Sequence, residues 1–132
     1  MLDKLKTLEK NIGELRSLRS RFLSTAADDL TEKWALRYGL FESIQIIIDI
    51  SCHIVSKFNL GNPQNYRECV EILQQNGYIT ADLSNKLQAM IGLRNILVHE
   101  YMAIDDTKLR EFLDRVDDML AFVHACAKYI GE

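Results

Sequence analysis

Apolar residues return every three or four positions along nearly the whole chain, which is the spacing of amphipathic α-helices. In the first segment the series is Leu2, Leu5, Leu8, Ile12, Leu15, Leu18 and Phe22. One proline and six glycines in 132 residues leave few positions at which such helices could be interrupted. No stretch alternates apolar and polar residues over the length of a useful β-strand. The chain is therefore predicted to be all-α.

Turn and cap residues divide the chain into five predicted helices. These helices cover about 2–22, 30–56, 63–75, 81–99 and 106–130. The predicted caps are Ser24–Asp29, Asn62-Pro63, Thr80 and either Asp105 or Asp106, with Asn76-Gly77 closing the short helix. The expected apolar side of the second helix includes Trp34, Phe41, Ile44, Ile48 and Val55. The predicted architecture is one domain, 1–132, an up-and-down four-helix bundle with one additional short helix.

The charge of the chain argues against broad affinity for nucleic acids. The net charge is −3, with six bases and three acids in residues 1–24, and seven acids and four bases in residues 105–132. A polyanion-binding protein normally carries a basic surface. The acidic total does not exclude a small basic site inside a cleft, because a cleft focuses the field of a few charges.

The composition also indicates a cytoplasmic protein that does not cross a membrane. No uninterrupted apolar run approaches the ~20 residues of a membrane span, and residues 1–6 alternate charge with leucine, unlike a signal peptide. Cys52, Cys69 and Cys126 are therefore expected to be reduced, buried thiols. Their spacing matches no zinc motif, so no metal site is predicted.

The fourth predicted helix carries a charge where a core-facing residue is expected. At 100° per residue, its apolar stripe about 100° wide contains Leu83, Leu87, Met90, Leu97 and Val98. Arg94 lies in the middle of that stripe, and a buried guanidinium needs an anion or an acid. Asn95 and His99, four residues apart, share an adjacent face.

The second predicted helix carries a polar line through an isoleucine-rich segment. Glu42, Gln45 and Asp49 lie at i, i+3 and i+7, and His53 follows Asp49 by four residues. One interpretation makes this line a solvent face with an Asp49–His53 ion pair. The other makes it face Arg94 or a partner subunit.

An arginine near a histidine is a minimal apparatus for cutting RNA. A histidine can take the proton from a 2′-hydroxyl, and a guanidinium can bind the phosphate and stabilise the charge of the transition state. One histidine cannot easily be both the base and the acid. A two-fold dimer would supply the second.

The stretch Arg94-Asn95…His99…Tyr101 resembles the R-x4-H-x-Y signature of the HepT-like toxins of the HEPN superfamily. The resemblance covers about residues 30–130. It includes the stretches Arg37-Tyr38…Glu42…Gln45…Ile48-Asp49-Ile50…His53, Gly61-Asn62-Pro63 and Met90…Gly92-Leu93-Arg94-Asn95.

The resemblance implies a HEPN-like homodimer that works as a metal-independent endoribonuclease toxin with no cofactor. Arg94 and His99 would be catalytic and Asn95 supporting, with Glu42, Asp49 and His53 as candidate neighbouring or partner-facing residues. The substrate would be RNA, with tRNA as one candidate. The expected partner is an MntA-type nucleotidyltransferase antitoxin, which silences such toxins by transferring AMP to the motif tyrosine, here Tyr101.

Two other hypotheses remain open at this point. The chain could be a non-catalytic helical binding partner of a minimal nucleotidyltransferase, which the acidic net charge favours. It could also be a plain structural bundle, although that leaves Arg94 in its apolar stripe unexplained.

Overall fold

The structure is a computed structural model that describes residues 1–24, 30–99, 102 and 105–131. The helices are α1 (Leu2–Ser24), α2 (Leu30–Lys57), α3 (Tyr66–Gln75), α4 (Ala81–His99), α5 (Asp106–Leu113) and α6 (Val116–Cys126). A 3₁₀ turn, Ala127–Tyr129, follows α6. Within these ranges the chain forms no β-strand, which confirms the predicted all-α class.

Four of the helices form a closed ring around one hydrophobic core. α1 packs against α2, α2 against α4, α4 against α6, and α6 against α1. The short α3 covers α2 and α4, and α5 packs on α1 and α2. The largest fully buried side chains are Phe122, Leu8, Leu15, Leu36, Leu40, Ile44, Ile47, Ile48, Ile50, Ile54, Leu73 and Leu87. The predicted four-helix bundle with an additional short helix is confirmed.

The last predicted helix is divided into α5 and α6 by a tight turn. The Asp114 N–H donates to the Glu111 carbonyl at 3.2 Å, and the Arg115 N–H to the Phe112 carbonyl at 3.0 Å. Each of these hydrogen bonds joins residues three positions apart, as in a 3₁₀-helix, which is wound more tightly than an α-helix. The prediction of one continuous helix over 106–130 is therefore wrong.

Two predicted N-caps are confirmed by their hydrogen bonds, and the glycine predicted to close α3 is confirmed by its backbone angle. The Thr80 hydroxyl accepts from the Leu83 N–H at 3.1 Å. The Asp105 carboxylate accepts from the Lys108 N–H at 2.8 Å. Gly77 follows α3 with a φ of 78°, a left-handed conformation that glycine adopts without a Cβ clash.

The N-cap of α3 lies three residues later than predicted. The cap is Asn65 and not Asn62: Asn65 has an extended backbone, and its side chain accepts a hydrogen bond from the Glu68 N–H at 3.0 Å. Pro63 therefore lies in the connection that precedes the helix, not in its first turn. The predicted caps at 25–29 lie outside the described residues.

α2 is the central helix of the bundle, but its two ends differ in burial. Ile44, Ile48 and Val55, expected on the apolar side of the helix, are buried, whereas Trp34, expected on the same side, is 63% exposed. By length and composition α2 could cross a membrane, but 56% of its most apolar window is buried inside the bundle. A helix buried in the core of a bundle can have the same length and apolar composition.

The cysteines differ from the prediction of three reduced thiols. Cys52 of α2 and Cys69 of α3 form a disulfide, with Cα atoms 5.1 Å apart. The two are 17 residues apart in sequence, and the packing of α3 on α2 brings them together. Cys126 is a free, buried thiol as predicted, and burial raises its pKa to about 12.

Candidate functional site

Arg94 is half-buried on α4 and is held by two side-chain amide oxygens. Its Nε donates to Gln45 Oε1 of α2 at 2.9 Å, and its Nη1 donates to Asn95 Oδ1 at 3.1 Å. No carboxylate of the described residues forms an ion pair with this guanidinium. The guanidinium is therefore held in position by neutral groups and not by an acid of the described residues.

Two aromatic rings also lie close to the Arg94 guanidinium. Its central carbon is 5.8 Å from the centre of the Phe41 ring on α2 and 5.6 Å from that of Tyr66 on α3. Both distances are within the range of cation–π attraction. Neutral amides and rings thus orient the guanidinium, and its remaining N–H donors have no partner among the described residues. A guanidinium with free donors can bind an external anion.

A chain of polar contacts fixes which atom of Gln45 faces Arg94. Gln45 Nε2 donates to Asp49 Oδ1 at 3.0 Å, and Asp49 Oδ2 pairs with Lys4 of α1 at 2.7 Å. A carboxylate only accepts hydrogen bonds, so the amide nitrogen of Gln45 turns toward Asp49 and its oxygen toward Arg94. This Lys4–Asp49–Gln45–Arg94 chain connects α1, α2 and α4.

Glu42 and His53, the other two polar residues predicted on α2, are not among the hydrogen-bond partners of Arg94 in the described part of the chain. Glu42 accepts hydrogen bonds from Asn11 Nδ2 at 2.9 Å and from the Tyr38 hydroxyl at 3.0 Å, and the Tyr38 bond raises the pKa of that tyrosine. Glu42 thus belongs to the contact between α1 and α2. Of the predicted polar line, only Gln45 contacts Arg94 directly, with Asp49 one step behind it.

His53 is separate from this site. It lines a groove of about 490 Å³ together with Met1, Lys57 and Gly131. Its pKa is lowered, first by burial and then by the positive charges of the amino terminus and Lys57. The Asp49–His53 ion pair of the first interpretation is not formed, because the Asp49 carboxylate pairs with Lys4 instead.

His99 is the last residue of α4 and is exposed. It follows Arg94 by five positions, which corresponds to about 7.5 Å along the helix axis and roughly 140° around it. Asn95 lies one helical turn before His99, and its side-chain oxygen contacts Arg94. No hydrogen bond joins Asn95 to His99 within the described part of the chain. Tyr101 lies outside the described residues.

A wide groove lies between the first half of α2 and the end of α4, and we call it the aromatic groove. Its volume is about 900 Å³. It is lined by Leu30, Lys33, Trp34, Arg37, Tyr38, Phe41, Leu97, Val98 and Met102. Trp34 and Tyr38 are 63% and 62% exposed, and Phe41 connects the groove to Arg94. Sequence reasoning missed this feature, although the i, i+4, i+7 spacing of its three aromatic residues was a usable signal.

The bundle and its motif helix define a HEPN-type domain. The fold matches that of the tri-AMPylated Shewanella oneidensis HEPN toxin in complex with an MNT antitoxin. The TM-score is 0.86 and the identity 28%, and 96% of each chain is covered. The two chains therefore share one all-helical fold over nearly their whole length.

At the level of sequence, the family model described as Ribonuclease HepT-like matches residues 8–126. The chain is 32% identical over 105 residues to the mRNA nuclease HepT of Shewanella oneidensis, covering 80% of this chain and 78% of that protein. It is 29% identical over 102 residues to the tRNA nuclease HepT of Aphanizomenon flos-aquae, covering 74% and 69%. The chain therefore belongs to the HepT-like ribonuclease family.

Proposed function

We propose that this protein is a metal-independent endoribonuclease in which Arg94 binds the scissile phosphate and His99 transfers protons. One observation carries the proposal. The Arg94 guanidinium is fixed by Gln45 and Asn95, and no acid among the described residues neutralises it. A cation held in this way has its free donors available for an oxyanion.

The reaction that these groups can perform is attack by the internal 2′-hydroxyl. A histidine takes the proton of the 2′-hydroxyl, the 2′-oxygen bonds to phosphorus, and the bond to the 5′-oxygen breaks. The products are a 2′,3′-cyclic phosphate and a 5′-hydroxyl, whose oxygen must receive a proton. Arg94 stabilises the negative charge that grows on the phosphoryl oxygens. His99 of each of two copies would provide one base and one acid.

A homodimer is part of this proposal, and the aromatic groove supports it. Monomeric proteins rarely expose several large apolar side chains next to one another. Trp34, Val98 and Met102 are 63%, 40% and 85% exposed, and all three line the groove at the end of α4. A second copy docked on this face would cover them and bring two His99 side chains toward one cleft.

We further propose that the protein is a cytoplasmic toxin controlled by an MntA-type nucleotidyltransferase. The related Shewanella oneidensis toxin is tri-AMPylated and in complex with an MNT antitoxin. In this chain the acceptor would be Tyr101, two residues after His99. Phosphates attached there would place negative charge beside Arg94 and repel an RNA phosphate. The named relatives cut mRNA or tRNA, so the substrate class is RNA.

Cleavage of labelled RNA by the purified protein in EDTA tests the nuclease. We expect cutting with cyclic phosphate ends, abolished by Arg94→Ala and by His99→Ala. Arg16→Ala and His124→Ala are matched controls, because both replace exposed side chains on other helices and should leave cutting intact. Full activity of the His99 variant would refute the mechanism.

Expression with and without the antitoxin tests the toxin role. We expect growth arrest without the antitoxin, and on co-expression a mass increase of one or more AMP units that Tyr101→Phe prevents. A Tyr101→Phe protein that still gains this mass would place the modification elsewhere. Normal growth, together with inactivity on RNA, would favour the alternative of a non-catalytic helical partner of the nucleotidyltransferase.

A further inference from the structure

An exposed aromatic ring lies beside the guanidinium proposed to bind phosphate. Tyr66 is the first residue of α3 and is 48% exposed. Its ring centre is 5.6 Å from the Arg94 central carbon. A tyrosine at a helix start could equally have pointed away from α4, so its position needs an explanation.

The start of α3 is unusually well anchored. The Asn65 side chain caps the helix, and three residues after Tyr66 the Cys69–Cys52 disulfide ties α3 to α2. These constraints fix the Tyr66 backbone on both sides.

A second set of contacts ties α3 to the motif helix. Arg67 Nη1 donates to the Gln88 carbonyl and to Gln88 Oε1, both at 3.1 Å, and Gln88 Nε2 donates to the Arg67 carbonyl at 2.9 Å. Arg67 also passes over Gly92, where an added Cβ would lie only 3.3 Å from Arg67 Nη2. The distance between Tyr66 and Arg94 is therefore set by a rigid connection between two helices.

A ring held half in solvent beside a phosphate-binding cation fits one ligand feature well. A nucleobase is joined to its phosphate through one ribose, so a base adjacent to the phosphate on Arg94 lies within reach of a neighbouring ring. Aromatic rings and arginine planes are the surfaces on which proteins stack unpaired bases. A base inside a duplex is already stacked on both faces and cannot use such a ring.

We propose that Tyr66 is a nucleobase-stacking residue, which holds the base next to the scissile phosphate and directs the enzyme to unpaired RNA. This inference rests on the proposed function, because it places the phosphate on Arg94. It adds a residue from outside the motif helix and a substrate class defined by structure, not by sequence.

Steady-state cleavage of one RNA oligonucleotide, single-stranded or annealed to its complement, provides the first test. We expect the single strand to be cut and the duplex to be cut at least about tenfold more slowly. Tyr66→Leu should raise KM for the single strand roughly 5- to 100-fold with little change in kcat, whereas Tyr66→Phe should restore a low KM. Phe58→Leu, an exposed aromatic just beyond α2, is the control and should change neither constant.

Two results would overturn the assignment. If Tyr66→Leu lowers kcat at unchanged KM, the ring only positions Arg94 and does not touch the base. If single-stranded and double-stranded RNA are cut equally, no unpaired base is required.

Binding to an uncut RNA separates this inference from the nuclease proposal. The His99→Ala protein is mixed with single-stranded RNA that carries 2-aminopurine, whose fluorescence is quenched by stacking. We expect quenching that is lost when Tyr66→Leu is added and retained with Tyr66→Phe. If the RNA quenches with the His99→Ala protein but the unsubstituted protein cuts no RNA, the nuclease proposal is refuted and the stacking site stands. If the unsubstituted protein cuts RNA but quenching does not depend on Tyr66, the stacking site is refuted and the nuclease proposal stands.

Discussion

Arg94 Nε donates to Gln45 Oε1 across the contact between α4 and α2, at 2.9 Å. An amide oxygen orients a guanidinium without neutralising it, whereas a carboxylate in the same place would form a closed ion pair. An arginine paired with a carboxylate has a structural role, whereas an arginine held by an amide oxygen can still bind an anionic ligand.

Replacing Gln45 by an acid therefore tests the site without removing any motif residue. Gln45→Glu has nearly the same shape, places a negative charge next to Arg94 and can no longer donate a hydrogen bond to Asp49. We expect RNA cleavage to fall roughly 10- to 100-fold, because the phosphate must now displace an internal anion. The measurement is the initial cleavage rate together with the thermal midpoint. Gln75→Glu, at the exposed end of α3, is the control, and undiminished cleavage by Gln45→Glu would contradict the role given to Arg94.

Asp49 should influence the same arginine through Gln45. Without its carboxylate the Gln45 amide can rotate, so Asp49→Ala should reduce cleavage about two- to tenfold while Arg94 remains present. The exposed Lys4–Asp49 ion pair contributes at most about 1 kcal/mol to folding. Urea denaturation should therefore show a small loss of stability. Lys4→Ala separates the loss of the ion pair from the rotation of the Gln45 amide. It should lower stability by a similar amount and leave cleavage nearly unchanged. An equal loss of cleavage in both variants would show that Asp49 does not act by orienting Gln45.

The helices α1 to α4 could be predicted closely because their signals are local. Apolar spacing and caps such as Thr80 depend only on neighbouring residues, and the observed bounds lie within three residues of those expected. The break between α5 and α6 has no such signal, since neither proline nor glycine occurs between Asp106 and Cys126. α5 packs on α1 and α2, whereas α6 packs on α1 and α4, so tertiary packing decides the turn.

The site could be predicted only in part, for a similar reason. The position of Arg94 in an apolar stripe and its spacing to His99 are properties of one helix. The choice of Gln45 over Glu42 as its partner depends on the rotation of α2 relative to α4. Tyr66 and the Cys52–Cys69 bond depend on where α3 packs, which no local pattern in the sequence specifies.

The Cys52–Cys69 disulfide should contribute measurably to stability. It closes a loop of 17 residues, for which restriction of the unfolded chain gives roughly 2–4 kcal/mol. Urea denaturation with and without dithiothreitol should show a loss of this size on reduction. The double variant Cys52→Ser, Cys69→Ser should be as unstable as the reduced protein and insensitive to dithiothreitol. Three titratable thiols in the denatured, unreduced protein would show that the bond is absent.

The buried Cys126 thiol should be chemically inert in the folded protein. Because burial raises its pKa to about 12, it carries almost no thiolate at pH 8. In the Cys52→Ser, Cys69→Ser background, iodoacetamide should modify Cys126 slowly until urea unfolds the chain. The unfolded thiol ionises near its usual pKa, so this group favours unfolding as pH rises from about 9 to 12. Cys126→Ala should remove that part of the pH dependence, and rapid labelling of the native protein would contradict the burial.

The aromatic groove leads to the last prediction, which concerns the assembly state. If a second copy covers this face, a charge at its centre must be desolvated in the dimer and remains solvated in the monomer. Trp34→Glu should therefore shift the protein to the monomer in light scattering, and it should abolish RNA cutting because a lone His99 lacks its acid or base. Leu2→Glu is the matched control, since Leu2 is 44% exposed at the start of α1, away from the groove. A Trp34→Glu protein that stays dimeric and active would place the interface elsewhere, and a monomer with full activity would show that one copy completes the reaction.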